Sequence, residues 1–285
     1  MKVGLIAGSG GLPLAVIEGC RLAGYDIYIA AIENFVDDTQ NELKNASRFG
    51  LAKIGAITKA FKKEKCTHVC FAGIIDRPDF SKLKPDFKGW KMLPGVISAA
   101  RQGDDALLSY ILETFEREGF EVIGPQELCA HILMPEGVLG SVKLGQNHRR
   151  DAEKACYIAK HIGALDIGQA AIVCDGLVLA VEAQEGTDGM LRRISALPAA
   201  LRGTEKTPKG VLAKMVKPGQ ESRIDLPTIG LETIKLVKAA GLAGIVTESG
   251  RSFVLDREDV IKMADANNIF IAGLPNMQSS TPLGS

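Results

Sequence analysis

Short apolar runs, cut by glycine turns and spaced by amphipathic stretches, set the rhythm of the first half of the chain. Lys2 to Ala7 is apolar without alternation, the pattern of a parallel strand buried on both faces. Gly8-Ser9-Gly10-Gly11 follows, then a helical pattern from about Pro13 to Ala23 with Gly24 as its left-handed cap. A second strand runs from Asp26 to Ala31, and such a βαβ opening takes a right-handed crossover. Farther on, the periodicity predicts a basic amphipathic helix over 57–65 and a buried strand over 67–72 that ends at Gly73. Helical residues 97–101, a break at Gly103-Asp104-Asp105, a long helix over 106–118 and a strand over 120–123 complete the half. The alternation predicts an α/β fold: a Rossmann-like N-terminal domain over residues 1–130, with a doubly wound, mostly parallel sheet.

The second half changes pattern. Residues 131–147 read as a linker, followed by a helix over 149–162. Two apolar runs, 170–174 and 177–183, flank Asp175-Gly176, a strong hairpin signal. A helix over 190–201 and a strand-like run over 211–216 come next, the latter stopped by Lys217-Pro218-Gly219. A helix over 231–240 closed by Gly241, a second hairpin with strands 244–248 and 251–255, a helix from Asp256 to about Asn267 and a strand over 269–272 follow. Residues 148–274 are thus expected to form a C-terminal α/β domain with a mixed sheet and hairpins. Residues 275–285 carry no apolar pattern and are expected to be a disordered tail.

Composition narrows the function. Gly is 31 of 285 residues, and most glycines punctuate the strand ends, as in α/β folds. Lys+Arg and Asp+Glu balance at 34 each, and with one Trp and four Tyr there is little for a nucleic acid to stack on. No nucleic-acid partner is expected. Six scattered cysteines, without a CxxC, point to a reducing, cytoplasmic setting. The first apolar run is too short for a signal-peptide core, and no run reaches membrane-span length, so any membrane contact is expected to be peripheral.

Three stretches carry candidate chemistry. Gly8 and Gly10 fit the first two glycines of G-x-G-x-x-G, and Glu33 stands where a ribose-binding acid would. Pro13 occupies the position of the third glycine, which argues against an NAD-linked oxidoreductase; an anion at this helix N-terminus, or a turn that needs glycine for steric reasons, are the other readings. Cys66, His68 and Cys70 alternate on one strand, which cannot wrap a tetrahedral ion. Asp104 reads as a helix N-cap, and the Asp104-Asp105 pair could also reach a ligand from strand termini.

The third stretch, KMVKPGQESRIDLPTIG over 214–230, is the richest. Pro227 keeps Leu226 out of helical geometry, so Asp225 is held on an extended segment beside Lys214, Lys217 and Arg223. Glu182 lies among Val178, Ala180, Val181 and Ala183, where an unpaired carboxylate costs on the order of several kcal/mol. Glu182, Asp188 and Asp225 supply hard oxygen ligands, which favour Mg2+, or Mn2+, over Zn2+; Lys214, Lys217, Arg192 and Arg223 supply positive charge. Together they suit phosphoryl transfer or phosphoanhydride hydrolysis. The opposing reading is a charged loop capped by a helix, in a protein that binds a nucleotide sugar or lipid without turnover.

Three motifs, Gly103 to Leu108 (GDDALL), Leu177 to Arg193 (LVLAVEAQEGTDGMLRR) and Lys214 to Gly230, together resemble the UDP-2,3-diacylglucosamine pyrophosphatase family, in the class unrelated to the calcineurin-like enzymes. The likeness runs from GLIAGSGGLP to the IFIAG strand near residue 270; Gly189, where Ala is expected before Met190, departs from it. The resemblance implies Mg2+-supported hydrolysis to UMP and 2,3-diacylglucosamine 1-phosphate (lipid X), a step of lipid A synthesis. It also implies a homodimer working peripherally at the cytoplasmic face of the inner membrane, with the lipid held between the two domains. On these motifs Asp225, Lys214, Arg223 and Asp188 are the expected catalytic residues, and Asp225, Glu182 and Asp188 the metal ligands. Gly10, Gly11, Asp104, Asp105, Thr187, Arg192, Lys217 and Thr228 are expected to bind substrate. An apolar cavity for the acyl chains is expected among the Leu- and Met-bearing helices of the C-terminal half.

Overall fold

Strand β1 (Lys2–Ala7) is the axis of the first sheet, with β2 (Asp26–Ile32) on one side and β4 (His68–Ala72) on the other, both parallel to it. The computed structural model describes residues 1–36, 41–44, 46–76, 78–219, 223 and 226–275. It falls into two units: residues 1–131, with which Arg223 groups, and the residues from Ile132 on.

In the first unit α1 (Leu12–Leu22) links β1 to β2; α2 (Asn41–Lys44), β3 (Ser47–Phe49) and α3 (Ile54–Lys63) lead to β4. Then come α4 (Phe87–Ala100), α5 (Asp104–Arg117), β5 (Glu121–Val122) and α6 (Pro125–Leu128). The sheet order is β3-β2-β1-β4-β5, parallel throughout, which is the doubly wound α/β arrangement expected from the alternation. A chain of rings, Tyr28, Phe61, Phe120, Phe115 and Phe71, packs largely edge to face between sheet and helices at centroid distances of 5.3–6.4 Å.

Helix α4 is ten residues longer toward its N-terminus than the pattern predicts. Gly89, Pro94 and Gly95 hide it in sequence, since each disfavours a helix interior. The Asp86 side chain starts it by accepting the Gly89 N–H at 2.8 Å. Glu118, just beyond α5, ties three helices: its carboxylate accepts from Lys62 of α3 at 2.6 Å and pairs with Lys88 of α4 at 2.5 Å. Those two bonds, Lys62 first, hold its carboxyl below the ordinary value of 4.5. A carboxylate with a depressed folded-state pKa stabilises fully above its unfolded value and loses that contribution as pH falls through the folded one. Glu118→Gln is therefore expected to cost about 1 kcal/mol at pH 7. In urea titrations the gap from the parent should close as the pH is taken below 4.5; a gap that persists there would count against the ionic tie.

The second unit contains β6 (Gly137–Leu139), α7 (Gln146–Ala164), β7 (Ala170–Cys174), β8 (Leu177–Val181), α8 (Gly186–Ser195) and β9 (Val211–Lys214). It continues with β10 (Thr228–Ile229), α9 (Leu231–Ala239), β11 (Gly244–Glu248), β12 (Phe253–Val254), α10 (Arg257–Ala266) and β13 (Phe270–Leu274). The main sheet is mixed, in the order β6-β13-β11-β9-β7-β8, with β13, β11 and β9 parallel. Alternation along its strands divides the core. Ala171, Val173, Val211 and Ala213 face Ala152, Ala155, Cys156 and Ala159 of α7, and these small side chains let that helix lie close to the sheet. Ile172, Leu212, Ile245 and Ile271 point the other way, toward Met190, Ile234, Val237 and Val260 of α8, α9 and α10.

Three expectations change here. Residues 131–147 are more than a linker, because β6 pairs antiparallel with β13 inside this sheet. The expected second hairpin is not formed: both edges of β11 are occupied by β9 and β13, so β12 pairs parallel with β10 instead. Helix α8 begins at Gly186 rather than near Met190, placing Thr187 and Asp188 in its first turn. The Asp175-Gly176 hairpin does form, with φ of +48° and +79°. Buried Asp151 of α7 fixes that turn by accepting the N–H groups of Asp175 and Gly176 at 2.9 and 2.8 Å.

Candidate active site

Parallel strands gather chemistry at their carboxyl ends, and in the second unit that edge is crowded. β9 and β11 end there at Lys214 and Glu248. Antiparallel β7 begins at the same edge, Ala170 opposite Lys214, and β8 ends there, Val181 opposite Ala171. The residues after β8 and those after β9 are thus brought together from distant parts of the sequence.

Glu182 is 5% exposed, and both oxygens of its carboxylate accept hydrogen bonds. Oε1 accepts from the Thr187 hydroxyl at 3.0 Å and Oε2 from the Gln169 N–H at 3.1 Å. The Thr187 side chain is thereby turned inward, and α8 is pinned to the strand before it. Asp188, partly buried in the same turn, makes no hydrogen bond or ion pair among the described residues. Arg193 holds the approach to α8 through Glu185 at 2.7 Å and the Val181 carbonyl at 3.1 Å, whereas Arg192 is exposed.

The ammonium of Lys214 donates to the Thr228 carbonyl at 3.1 Å, joining the end of β9 to β10. Lys217, largely buried, pairs with Asp166 at 2.8 Å. Arg223 is in the first unit's grouping and bonds Glu116 of α5 at 2.6 Å. Asp225 lies outside the described residues, but its successors are fixed: Leu226 is buried, and the Pro227 carbonyl accepts the Phe253 N–H at 2.8 Å.

Sequence reasoning missed Glu248 and Lys160. Glu248 ends a strand that is buried at every position and is itself 2% exposed; Lys160 of α7 pairs with its Oε1 at 2.7 Å. Its Oε2 has no hydrogen-bond partner among the described residues, and Arg251 stands 3.6 Å away. The available signal was a carboxylate closing the apolar run GIVTE, the same signal that marked Glu182. A polar depression of about 710 Å3, bordered by Lys143, His148, Asp265 and Phe270, opens at the opposite, amino-terminal edge of the parallel strands.

In the first unit the strand order reverses between β1 and β4, and their loops meet at the carboxyl ends. The Gly8 N–H bonds the Ala72 carbonyl, and Ser9 and Ile74 form a bridge. A Cβ on Gly8 would stand 2.6 Å from the Ile74 carbonyl oxygen, and one on Gly73, at φ +97°, 2.7 Å from Gly8. These glycines are required by the approach of two loops. Gly10, at φ +89°, and Gly11, the N-cap of α1, complete the turn. Beside it opens a cavity of about 420 Å3, within the ~300–1,000 Å3 range of small-molecule sites. Its walls are apolar, with Phe71 and Ile74 at the sheet, Met92 and Val96 on α4 and Leu108 and Ile111 on α5. Asp104, in the first turn of α5, is the one acidic residue on its wall among the described residues. An apolar cavity therefore exists in the N-terminal half.

The six cysteines are buried and unpaired; burial pushes Cys20 up to about 11 and Cys129 up to about 12, so they remain thiols at neutral pH. His68 is held through Nδ1 by the Thr67 hydroxyl at 2.8 Å and through Nε2 by Glu121 at 3.2 Å. Among the described residues no three His, Cys, Asp or Glu side chains stand close enough to enclose one metal ion. Asp188 is one carboxylate of the second motif with no hydrogen bond or ion pair among the described residues.

Two family models match the chain, the LpxI N-terminal domain over residues 2–132 and the LpxI C-terminal domain over residues 135–272. Their junction coincides with the division between the two units at residue 132. The chain is also similar to the UDP-2,3-diacylglucosamine pyrophosphatase LpxI of Caulobacter vibrioides. The two are 50% identical over 273 residues, covering 96% of this chain and 97% of that protein.

Proposed function

Because the chain belongs to the LpxI family, we propose that it hydrolyses the pyrophosphate of UDP-2,3-diacylglucosamine to UMP and 2,3-diacylglucosamine 1-phosphate, as a step of lipid A synthesis. The observation that carries this reading is the end-to-end similarity to a pyrophosphatase of that name. Two features support it. Lys214 and Lys217 are presented at the carboxyl edge of the second sheet, and the first unit contains an apolar cavity of acyl-chain character.

In this reading Asp188 and Asp225 hold Mg2+, with Mn2+ as a substitute. The ion, when bound, neutralises the non-bridging phosphate oxygens and lowers the pKa of a water. Lys214, Lys217, Arg192 and Arg223 attract and orient the two phosphates, and Asp225 positions the attacking water. Glu182, the third expected metal ligand, also sets the first turn of α8 through Thr187, which fixes the helix end that carries Asp188. Gly10, Gly11, Asp104, Asp105 and Thr228 contact the nucleotide and sugar. The apolar cavity takes an acyl chain, with Asp104 at its rim facing the polar part of the substrate. The working form is a homodimer, peripheral to the cytoplasmic face of the inner membrane; no helix among the described residues is long and apolar enough to cross it.

The experiment is release of UMP from the UDP-linked lipid, with and without EDTA. Metal-dependent release supports the reading; tight binding without release would favour a non-catalytic lipid sensor. Leu108→Trp, which fills the cavity, is expected to raise KM about 10-fold with kcat nearly kept, the signature of binding energy lost equally from ground and transition states. An unchanged KM would remove the cavity from the substrate site.

A further inference from the structure

Helix α4 carries apolar residues on two faces, and only one of them is explained by the fold. Gly89, Met92, Leu93 and Val96 line the cavity, while Ala99 and Ala100 are buried. On the opposite face Phe87, the adjacent Trp90 and Lys91, Pro94, Ser98 and the capping Arg101 recur at three- and four-residue spacing, and all are exposed. Phe87 is 75% exposed and Trp90, the single tryptophan of the chain, is 66% exposed. Large aromatic rings are rarely left in water side by side without a partner.

The charge that the helix itself contributes has one sign. The helix contains Lys88 and Lys91 and no Asp or Glu. Lys91 sits over the Phe87 ring, 4.6 Å from its centroid, and Lys84 is exposed just before the helix begins. Arg101 extends the positive charge to the other end of the stripe. Aromatic rings that reach the acyl boundary, set among cations that reach phosphate headgroups, form the pattern of a helix lying in a membrane interface. Exposed Ile74, at the cavity rim, adds apolar surface from the loop after β4.

We propose that this face of α4, with Phe87 and Trp90 as anchors and Lys84, Lys91 and Arg101 as headgroup contacts, docks the protein on an anionic lipid bilayer. The proposal rests on the reading that the substrate is a membrane lipid, since a helix that lines the lipid cavity on one side and contacts the bilayer on the other gives an acyl chain a short path. Its test needs no substrate, and so stands apart from the test of the reaction.

Because Trp90 is the only tryptophan, its emission reports this face alone. Full-length protein is mixed with vesicles of phosphatidylethanolamine and phosphatidylglycerol, and separately with vesicles of phosphatidylcholine. The anionic vesicles are expected to shift Trp90 emission to the blue, brominated acyl chains in them to quench it, and the protein to co-sediment. Phosphatidylcholine should do so at least 10-fold more weakly. Phe87→Ser combined with Lys91→Glu, both at exposed positions, should weaken binding to the anionic vesicles at least 10-fold while leaving UMP release from detergent-dispersed substrate unchanged. Co-sedimentation without any change at Trp90 would overturn the proposal. So would a Trp90 shift that follows protein concentration in the absence of lipid, which would assign the face to a second copy of the chain.

Discussion

Asp225→Asn is expected to lower UMP release by at least about 10³-fold, the scale seen when a group that organises a phosphoryl transition state is removed. The replacement keeps the shape of the side chain and removes its charge, so it subtracts the ability to hold a divalent ion while leaving the backbone unaltered. The fold should survive, because the residues that follow are secured independently. Leu226 and Ile229 are buried, and β10 is joined to β12 through the Thr228–Phe253 and Ile229–Val254 pairs. The measurements are kcat, Mn2+ affinity by electron spin resonance, and thermal unfolding. Loss of turnover and of metal affinity, with Tm close to the parent, is the expected outcome. A variant that turns over at a near-normal rate would deprive Asp225 of its role.

Glu248→Ala should be the most destabilising of the single changes considered, costing about 3–5 kcal/mol in urea unfolding, as expected when one partner of a buried ion pair is removed. The reason is the position of Lys160. Its side chain is only 14% exposed and its ammonium faces Glu248 Oε1 at 2.7 Å, so the variant removes a close counter-charge from a largely buried cation. Lys160→Met should cost less, since the 2% exposed carboxylate keeps its ion pair with Arg251 at 3.6 Å while losing the closer partner. The double variant discriminates. If the pair is coupled, removing both charges recovers most of the loss, because two desolvation penalties vanish together. Additive losses in the double variant would mean that each side chain contributes through packing alone.

Much of the fold was legible in the sequence. The buried strands β1 and β4, the helix α5 and the Asp175-Gly176 hairpin announce themselves through local pattern, since burial on both faces and a left-handed turn each demand particular residue types. Helix α4 was obscured by Pro94 and two glycines, which local propensity counts against a helix and which tertiary packing overrides. The pairing of β12 was beyond local reading because it depends on which edges of β11 are already taken.

The candidate site divides in the same way. The glycine loop, the buried carboxylate at 182 and the RIDLPTIG segment could be picked out as residues, because their chemistry is costly or constrained wherever they sit. What Glu182 contacts could not, since Thr187 and Gln169 approach it only once α8 and β7 are in place. Sequence also misplaced the apolar cavity, because hydrophobic residues on α4 and α5 look the same whether they pack together or stand apart around a void.

By itself, then, the order of residues determined the α/β class, the hairpin at 175–176 and the acids and lysines worth suspecting, because these follow from short-range preference and from the cost of burying charge. Tertiary structure alone decided which carboxylates are spent on hydrogen bonds, where Lys160 and Glu248 meet, and which face of α4 looks outward. Those outcomes depend on neighbours that are distant along the chain and near only after the sheets have formed.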